Sequence, residues 1–508
     1  MSQAGTSADV VAFLQSGAAF GGEVPRRIDT HAAHIFLAGR HAWKIKRAVK
    51  TGYLDFSTAE RRRAALEAEL RLNRRTAPGL YLGVRAITRD AGGRLAIGGE
   101  GEPVDWVLEM QRFPDDALLL DLARRDALAP ALLDRLADRI ATFHRAAAPV
   151  ALAGARQFAD IVSGNAESLA VESTTLGRAA VDDLVGAQAQ ALAEVRPLLD
   201  RRAGEGRVAH VHGDLHLANI AVIEGEPTLF DALEFSEELA TTDILYDLAF
   251  LLMDLWVRGQ HPAANRVMNR WFDRMNEAGE ALALLPLFLS TRATIRAHVT
   301  AMRARLEGDA AAATEARHLL AAARAFLQPP APRLVAVGGL SGTGKSTIAR
   351  ALAPALGRAP GARHLRSDVI RKRLWGRAPE EPLPEEAYGP GQSRPVYATM
   401  EAEAAAALAA GQAVLLDAVF GTPAERAAAA RLAKRAAAPF AGLWLDAPLA
   451  VRLARVAGRM GDASDADERV ARAQEVLRPG DPSPFTRVDA GGSPEATLGA
   501  ARAALGLP

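Results

Sequence analysis

The sequence predicts two domains of different class: a two-lobed α+β domain, then an α/β domain built on a parallel sheet. Three observations carry this. Residues 35–111 read as a hairpin, a helix and further short strands, and from Asp116 onward the pattern is mainly helical. Beyond residue 333, strands and helices alternate, which implies parallel strands joined by right-handed crossovers. Between the two lies Gln328-Pro329-Pro330-Ala331-Pro332, a run that cannot continue the Ala-rich helix before it. At 508 residues the chain exceeds one ordinary core. The expected boundaries are 1–328, a stiff linker at 329–332, and 333–508.

In the first part, Ile35-Phe36-Leu37 and Ala42-Trp43-Lys44-Ile45-Lys46 flank the turn Ala38-Gly39-Arg40. Ser57-Thr58-Ala59-Glu60 reads as a capping box that opens a helix to about Arg75, stopped by Pro78-Gly79. Strands follow near Tyr81 to Thr88 and Val104 to Glu109. In the second part, strands are expected at Leu334 to Val337, Arg363 to Arg366, Val414 to Leu416 and Leu443 to Leu445. The Ala-rich stretches 401–410 and 427–438 carry charges at helical spacing and read as helices.

Composition excludes more than it assigns. The chain is 49% hydrophobic and 24% charged, ordinary for a globular protein, and its net charge of +1 gives no reason to expect nucleic acid or a membrane surface. With no cysteine there is no disulfide, thiol nucleophile or cysteine metal site, which fits a reducing compartment. The segment from Met1 to Phe20 has no basic start and no long apolar core, so no secretory signal is read there, and no apolar run reaches the ~20 residues of a membrane span. A cytoplasmic location is the expectation. The oligomeric state is not legible.

Chemistry is concentrated in two places. The first is His212-Gly213-Asp214-Leu215-His216-Leu217-Ala218-Asn219. An Asp can take the proton of an attacking hydroxyl, and an Asn five residues on can hold a magnesium ion on nucleotide phosphates. Asp231 ends the apolar run Thr228-Leu229-Phe230, at the interval where a second metal ligand is needed. The second place is Gly339-Leu340-Ser341-Gly342-Thr343-Gly344-Lys345-Ser346, a full G-x4-G-K-S loop between a buried strand and the helical segment that starts at Thr347. Its glycines let backbone N–H groups turn onto phosphates, Lys345 adds a mobile charge, and the Ser346 hydroxyl suits magnesium. Both patterns point to a nucleoside triphosphate with Mg2+.

On these motifs, with Thr242-Asp243 and Tyr246-Asp247-Leu248-Ala249, the first part resembles the aminoglycoside phosphotransferase-like kinases. That resemblance implies a two-lobed protein-kinase-like fold. It makes Asp214 the base or the group that orients the acceptor hydroxyl, makes Asn219 and Asp231 magnesium ligands, and gives Asp247 the task of bracing the loop. Lys44 and Lys46 lie on one face of a strand and either can reach a phosphate; Lys44 is favoured. Its partner by family position is Glu69, with Glu67 the alternative, and Glu109-Met110-Gln111-Arg112 would be the hinge whose backbone meets adenine. The turn at 38–40 lacks a G-x-G-x-x-G, unlike protein kinases.

From Arg333 the chain is similar to P-loop small-molecule kinases of the gluconate kinase, zeta-toxin and adenylate kinase-like group. The resemblance implies Asp368 as base, with a helix N-cap carboxylate as the other reading. It implies Asp417 in a metal or acceptor role, and Arg455 and Arg459 as lid arginines on one helix face, while Arg452 reads as an ordinary charged-face residue. Gly461 to Ala466 would be the lid tip. The tandem order resembles bifunctional aminoglycoside phosphotransferase/ATP-binding proteins. The expected activity is phosphoryl transfer from ATP·Mg to hydroxyls of small molecules at two sites. The rival is a first domain that only binds nucleotide and regulates the second. A nucleic-acid motor is disfavoured, because the second part is short and carries no basic stripe with interleaved aromatics.

Overall fold

The computed structural model describes residues 3–30, 32–50, 55–234, 236–389, 391–458 and 463–507. The chain divides into two compact units, Met1–Gly154 with Arg201–Leu251, and Ala155–Asp200 with Leu252–Pro508.

The first unit opens with α1 (Gln3–Gln15), then β1 (Arg26–Asp29), β2 (Ala33–Ala38) and β3 (His41–Lys46). Helix α2 (Ala59–Asn73) precedes β4 (Tyr81–Arg89), β5 (Leu95–Ile97) and β6 (Glu102–Gln111). The six strands form one antiparallel sheet in the order β1-β2-β3-β6-β4-β5. Leu66 of α2 packs with Tyr81, Leu108 and Met110 on one face, while Val10 and Leu14 of α1 pack with Phe36, Ile45 and Val107. The cap of α2 differs from expectation by one residue. Thr58 is the N-cap and accepts from Arg61 N, because the Ser57 hydroxyl is bound to Asp55 Oδ1. The sequence pattern also missed β1, whose residues are all exposed, and β5.

Helices α3 (Leu119–Arg124) and α4 (Pro130–Ala146) follow. After α5 (Gly154–Val171), α6 (Ser173–Leu176) and α7 (Arg178–Gly204) come β7 (Val208–His210), β8 (Ile220–Ile223), β9 (Glu226–Leu229), α8 (Glu237–Ala240), β10 (Thr241–Asp243) and α9 (Ile244–Val257). β8–β9 is an antiparallel ribbon, and β7 pairs with β10. The ribbon carries Asn219 just before it and Asp231 just after it, so a local hairpin brings the two together.

The second unit takes in α5, α6 and most of α7, and holds α10 (His261–Met275), α11 (Leu285–Glu307) and α12 (Ala310–Phe326). Then come β11 (Leu334–Gly339), α13 (Lys345–Leu352), β12 (Arg363–Arg366), α14 (Ser367–Leu374), α15 (Ser393–Ala409), β13 (Val414–Asp417), α16 (Pro423–Arg435), β14 (Phe440–Asp446), α17 (Leu449–Ala457), α18 (Glu468–Ala473), β15 (Phe485–Asp489) and α19 (Pro494–Leu505). The five strands are all parallel, in the order β12-β13-β11-β14-β15. Val335, Val337, Ile348, Leu352, Leu415 and Leu443 form the core between sheet and helices.

The proline break at 329–332 lies inside this unit. Polar side chains of α10 account for that grouping. Asn265 Nδ2 donates to Pro360 O and Ala362 O, His364 N donates to Asn269 Oδ1 at 2.8 Å, and Arg363 pairs with Asp273. The open edge of β12 is thus covered by a helix. Among the described residues, no helix is long and apolar enough to cross a membrane.

Candidate active sites

β3 presents Lys44 and Lys46 to the same carboxylate. Lys44 Nζ lies 2.7 Å from Glu69 Oε1, and Lys46 Nζ 2.7 Å from Glu69 Oε2, with Glu69 fully buried on α2. Each lysine holds a second acid: Lys44 meets Asp231 Oδ1 at 2.7 Å, and Lys46 meets Glu234. Burial alone would lower the Lys44 pKa, but Asp231, Glu69 and Glu234 outweigh it and raise it well above 10.5. Lys44 is therefore a fixed cation. Burial pushes the Glu234 carboxyl up, with Lys46 opposing and Glu69 adding to it. Glu67 is instead paired with Arg63 on the exposed face of α2.

The loop after β7 is held from behind. Asp247, at the start of α9, accepts from Gly213 N at 2.8 Å and His212 N at 3.3 Å, and His144 Nε2 lies 3.0 Å from its Oδ2. Gly213 has φ 80°, and a Cβ there would stand 2.9 Å from Leu233 Cβ, so the turn needs glycine. Burial holds the His212 imidazole below its usual pKa, and its Nε2 lies 3.0 Å from Phe230 O. His212 is a strut of the loop.

This brace leaves Asp214 at the front, half-buried. Asn219 Nδ2 donates to Asp214 Oδ2 at 2.9 Å and to Asp214 O at 3.0 Å. With its nitrogen so committed, Asn219 has its carbonyl oxygen left for a cation. Asp231 adopts φ 59°, a left-handed conformation costly for a non-glycine residue, and its N–H donates to the Tyr81 hydroxyl at 3.0 Å. Burial raises the Asp231 pKa, but Lys44 and Lys46 lower it more, so it is held below 3.8 and ionised despite Asp214 nearby. Asp214, Asn219 and Asp231 thus converge as hard oxygen donors, a set that suits magnesium. Met110 is not at an open edge: it is buried in β6, opposite Ala42 and Tyr81.

In the second unit the 339–346 loop ends β11 and opens α13. Gly339, Gly342 and Gly344 have φ 145°, 85° and 89°, and a Cβ on Gly342 would stand 2.5 Å from Arg452 O. Lys345 Nζ reaches Leu340 O at 3.1 Å, and Thr343 Oγ1 donates to Leu340 O at 2.9 Å. Thr347 sits in the first turn of α13. Arg366 bridges the metal-side groups, donating to Ser346 Oγ at 3.2 Å and lying 3.5 Å from Asp417 Oδ2. Asp417 Oδ2 is buried, has His364 Nε2 at 3.4 Å, and makes no hydrogen bond of good geometry among the described residues. Such an atom beside Ser346 fits a divalent cation. Burial would raise the Asp417 pKa, yet His364, Arg366 and Lys345 hold it well below the carboxylate range.

Asp368 lies in the first turn of α14, whose N-cap is Arg366. Burial lifts its carboxyl above 3.8, Asp417 adds to that, and Arg366 and Lys345 oppose it. Of the two lid arginines, Arg455 is among the described residues. Arg455 donates to the carbonyls of Ala490 and Gly492 and reaches Thr343 O at 3.5 Å, so it ties the loop to the end of β15. Arg459 lies outside the described residues, as do Gly461 and Asp462 of the lid tip. Arg452, read as a surface charge, is buried and donates to Ser341 O at 3.0 Å and to Glu475. Gln474 Oε1 accepts from Ser341 N at 2.7 Å. Asp465 pins the tip segment to Lys372 Nζ at 2.9 Å and to the Tyr388 hydroxyl at 2.6 Å.

Two family models match different stretches of the chain. Residues 98–285 match the model of the phosphotransferase enzyme family, and residues 334–478 match that of an AAA domain. The uncharacterized protein Rv2004c of Mycobacterium tuberculosis is 32% identical over 495 residues, covering 93% of this chain and 94% of its own length. Mb2027c of Mycobacterium bovis matches equally. The chain belongs to their family. Members of this family share both halves over nearly their whole length, and the pairing of phosphotransferase and P-loop domains marks this chain as a kinase. Two solved structures are similar to one part each. A choline/ethanolamine kinase family protein from Mesorhizobium loti has 15% identity and TM-score 0.36, covering 63% of this chain and 99% of its own. A gluconokinase from Sinorhizobium meliloti has 22% identity and TM-score 0.25, covering 34% and 92%.

Several residues at the two sites of this family member escape sequence reasoning. Glu234, Tyr81 and His144 act through buried contacts with residues more than a hundred positions away in sequence. Only Lys46 carried a signal, since two lysines on one strand face demand more than one acid.

Proposed function

We propose that the chain transfers the γ-phosphoryl of ATP, with Mg2+, to hydroxyls of small molecules at two separate sites, one in each unit. One observation supports this most directly: Asp214, Asn219 and Asp231 converge beside a Lys44 locked to Glu69. In the first unit Lys44 would meet the nucleotide phosphates, and a bound magnesium ion would neutralise charge on them. Asn219 and Asp231 would hold that ion. Asp214 takes the acceptor hydroxyl's proton as the acceptor oxygen forms its bond to the γ-phosphorus, and the bond to the bridging oxygen of ADP breaks. In the second unit Lys345 and the loop amides would grip phosphate, Ser346 and Asp417 would hold the cation, and Asp368 would serve as base.

A second reading has a specific observation in its favour. Lys44 Nζ lies directly on Asp231 Oδ1, and the β2–β3 turn has only Gly39-Arg40 in place of a glycine-rich loop. A first unit closed in this way would bind ligand and regulate the P-loop half. ADP release by the full chain with a library of hydroxylated metabolites separates the two. On a Lys345→Ala background, turnover that falls about 100-fold or more with Asp214→Asn identifies a working first site. Absence of any Asp214-dependent turnover identifies a regulator.

A further inference from the structure

A groove of about 440 Å3 lies in the second unit, between α15, α16 and the end of β13. That volume is within the range of small-molecule pockets, roughly 300–1,000 Å3. Its floor is apolar: Met400, Leu416, Phe420 and Leu432 are buried, and the Tyr397 ring meets the Phe420 ring edge-on at 5.7 Å. The Tyr397 hydroxyl accepts from Phe420 N at 3.1 Å, which fixes that wall.

One contact joins the groove to the helix that carries Asp368. Arg371, one turn after Asp368 on α14, donates to the hydroxyl of Ser393 at the groove's rim at 3.0 Å. Burial raises the Tyr397 phenol above its ordinary range, the Glu425 carboxylate adds to that rise, and Asp368 adds a smaller part.

The charged groups at the rim differ in availability. Glu401 is paired with Arg435, and Glu425 accepts from Thr422 N in the capping box of α16. Arg394, exposed at the mouth, has no side-chain partner among the described residues. A cation at the mouth of an apolar groove selects an anionic group on an apolar body.

We infer that this groove is the acceptor subsite of the P-loop site, and that it seats the body of an aromatic or alicyclic alcohol carrying an acidic group. An open polyol such as gluconate would leave the apolar floor wet and its own hydroxyls unpaired. The inference rests on the kinase reading of the second unit and adds its substrate class.

The test uses the full chain with the first site silenced by Asp214→Asn. Anilinonaphthalene sulfonate, an apolar body with an anion, is titrated by fluorescence, and hydroxymethylbenzoate, gluconate and glycerol are compared as competitors and as acceptors in ADP release. Ala428→Phe fills the groove from α16. Ala398→Phe, at an exposed position on the opposite wall, fills it without disturbing packing, and Arg394→Ala removes the cation. Each filling variant is expected to weaken the probe by about tenfold or more. Arg394→Ala should weaken it several-fold, and hydroxymethylbenzoate should displace it and stimulate ADP release where gluconate does neither. Probe binding indifferent to both filling variants, or displacement by gluconate, overturns the groove as the subsite and leaves kinase activity to be judged by Lys345-dependent ADP release. ADP release with no acceptor of either class, despite intact ATP binding, removes the kinase reading and the inference with it.

Discussion

Lys46 and Lys44 divide one carboxylate, each bonding a different oxygen of Glu69 at 2.7 Å. The division separates their roles. Lys44 reaches the half-exposed Asp231, while Lys46 is 2% exposed and reaches Glu234, deeper in the unit. Removing Lys46 takes the lysine from the buried Glu234 and leaves Glu69 with Lys44 alone. Lys46→Met should therefore destabilise the first unit by about 3–5 kcal/mol, read as a lowered melting transition. Lys44→Met should cost less stability but abolish nucleotide binding at the first site. Equal loss of stability and binding in the two variants would show that the lysines act as one unit.

The P-loop site has its own phosphate grip, so its nucleotide should not depend on Lys44. Lys345→Ala removes a charge aimed at the loop and should weaken nucleotide at that site by about 2–5 kcal/mol. Titration with a fluorescent ATP analogue should then show one remaining site of unchanged affinity. Loss of both sites together would mean a shared nucleotide.

Much of this was legible because the chemistry lies in short runs. A strand followed by Gly339 to Ser346 needs no distant information, and the β8–β9 hairpin brings Asn219 and Asp231 together locally. The illegible parts depend on long-range packing. Arg452 and Arg455 share a helix and a charge, but only the fold decides that Arg452 turns inward to Ser341 O while Arg455 meets Ala490 O. The cap of α2 shifted for a local reason, since Asp55, two residues back, takes the Ser57 hydroxyl.

The rate at the P-loop site should depend on pH through Asp368. Burial raises its folded pKa above 3.8, so the carboxylate needed as base forms only as pH rises through that higher value. Activity should climb along an acid limb displaced upward from an ordinary aspartate's. Arg366 is the main group that opposes the rise, so Arg366→Gln should move the limb to higher pH whatever it does to the plateau. A limb that stays in place in Arg366→Gln would remove Asp368 as the titrating base.

Asn269 tests why the helices before the proline break belong with the P-loop sheet. Its Oδ1 accepts from His364 N at 2.8 Å and from Arg363 Nη1 at 3.1 Å, and its Nδ2 donates to Ala362 O at 3.1 Å. His364 N is a backbone group that an edge strand would otherwise leave unpaired, and it is buried, whereas Ala362 O keeps Asn265 Nδ2 as a second donor. Asn269→Ala strands His364 N and takes one acceptor from Arg363, at about 1–3 kcal/mol. Because β12 leads directly into Arg366 and Asp368, the loss should also loosen the acceptor side. The expected result is a lower melting transition for the second unit with an increased KM for acceptor and unchanged nucleotide affinity. If instead Asn269→Ala leaves stability untouched, α10 merely rests on the sheet, and residues 333–508 stand as a domain without it.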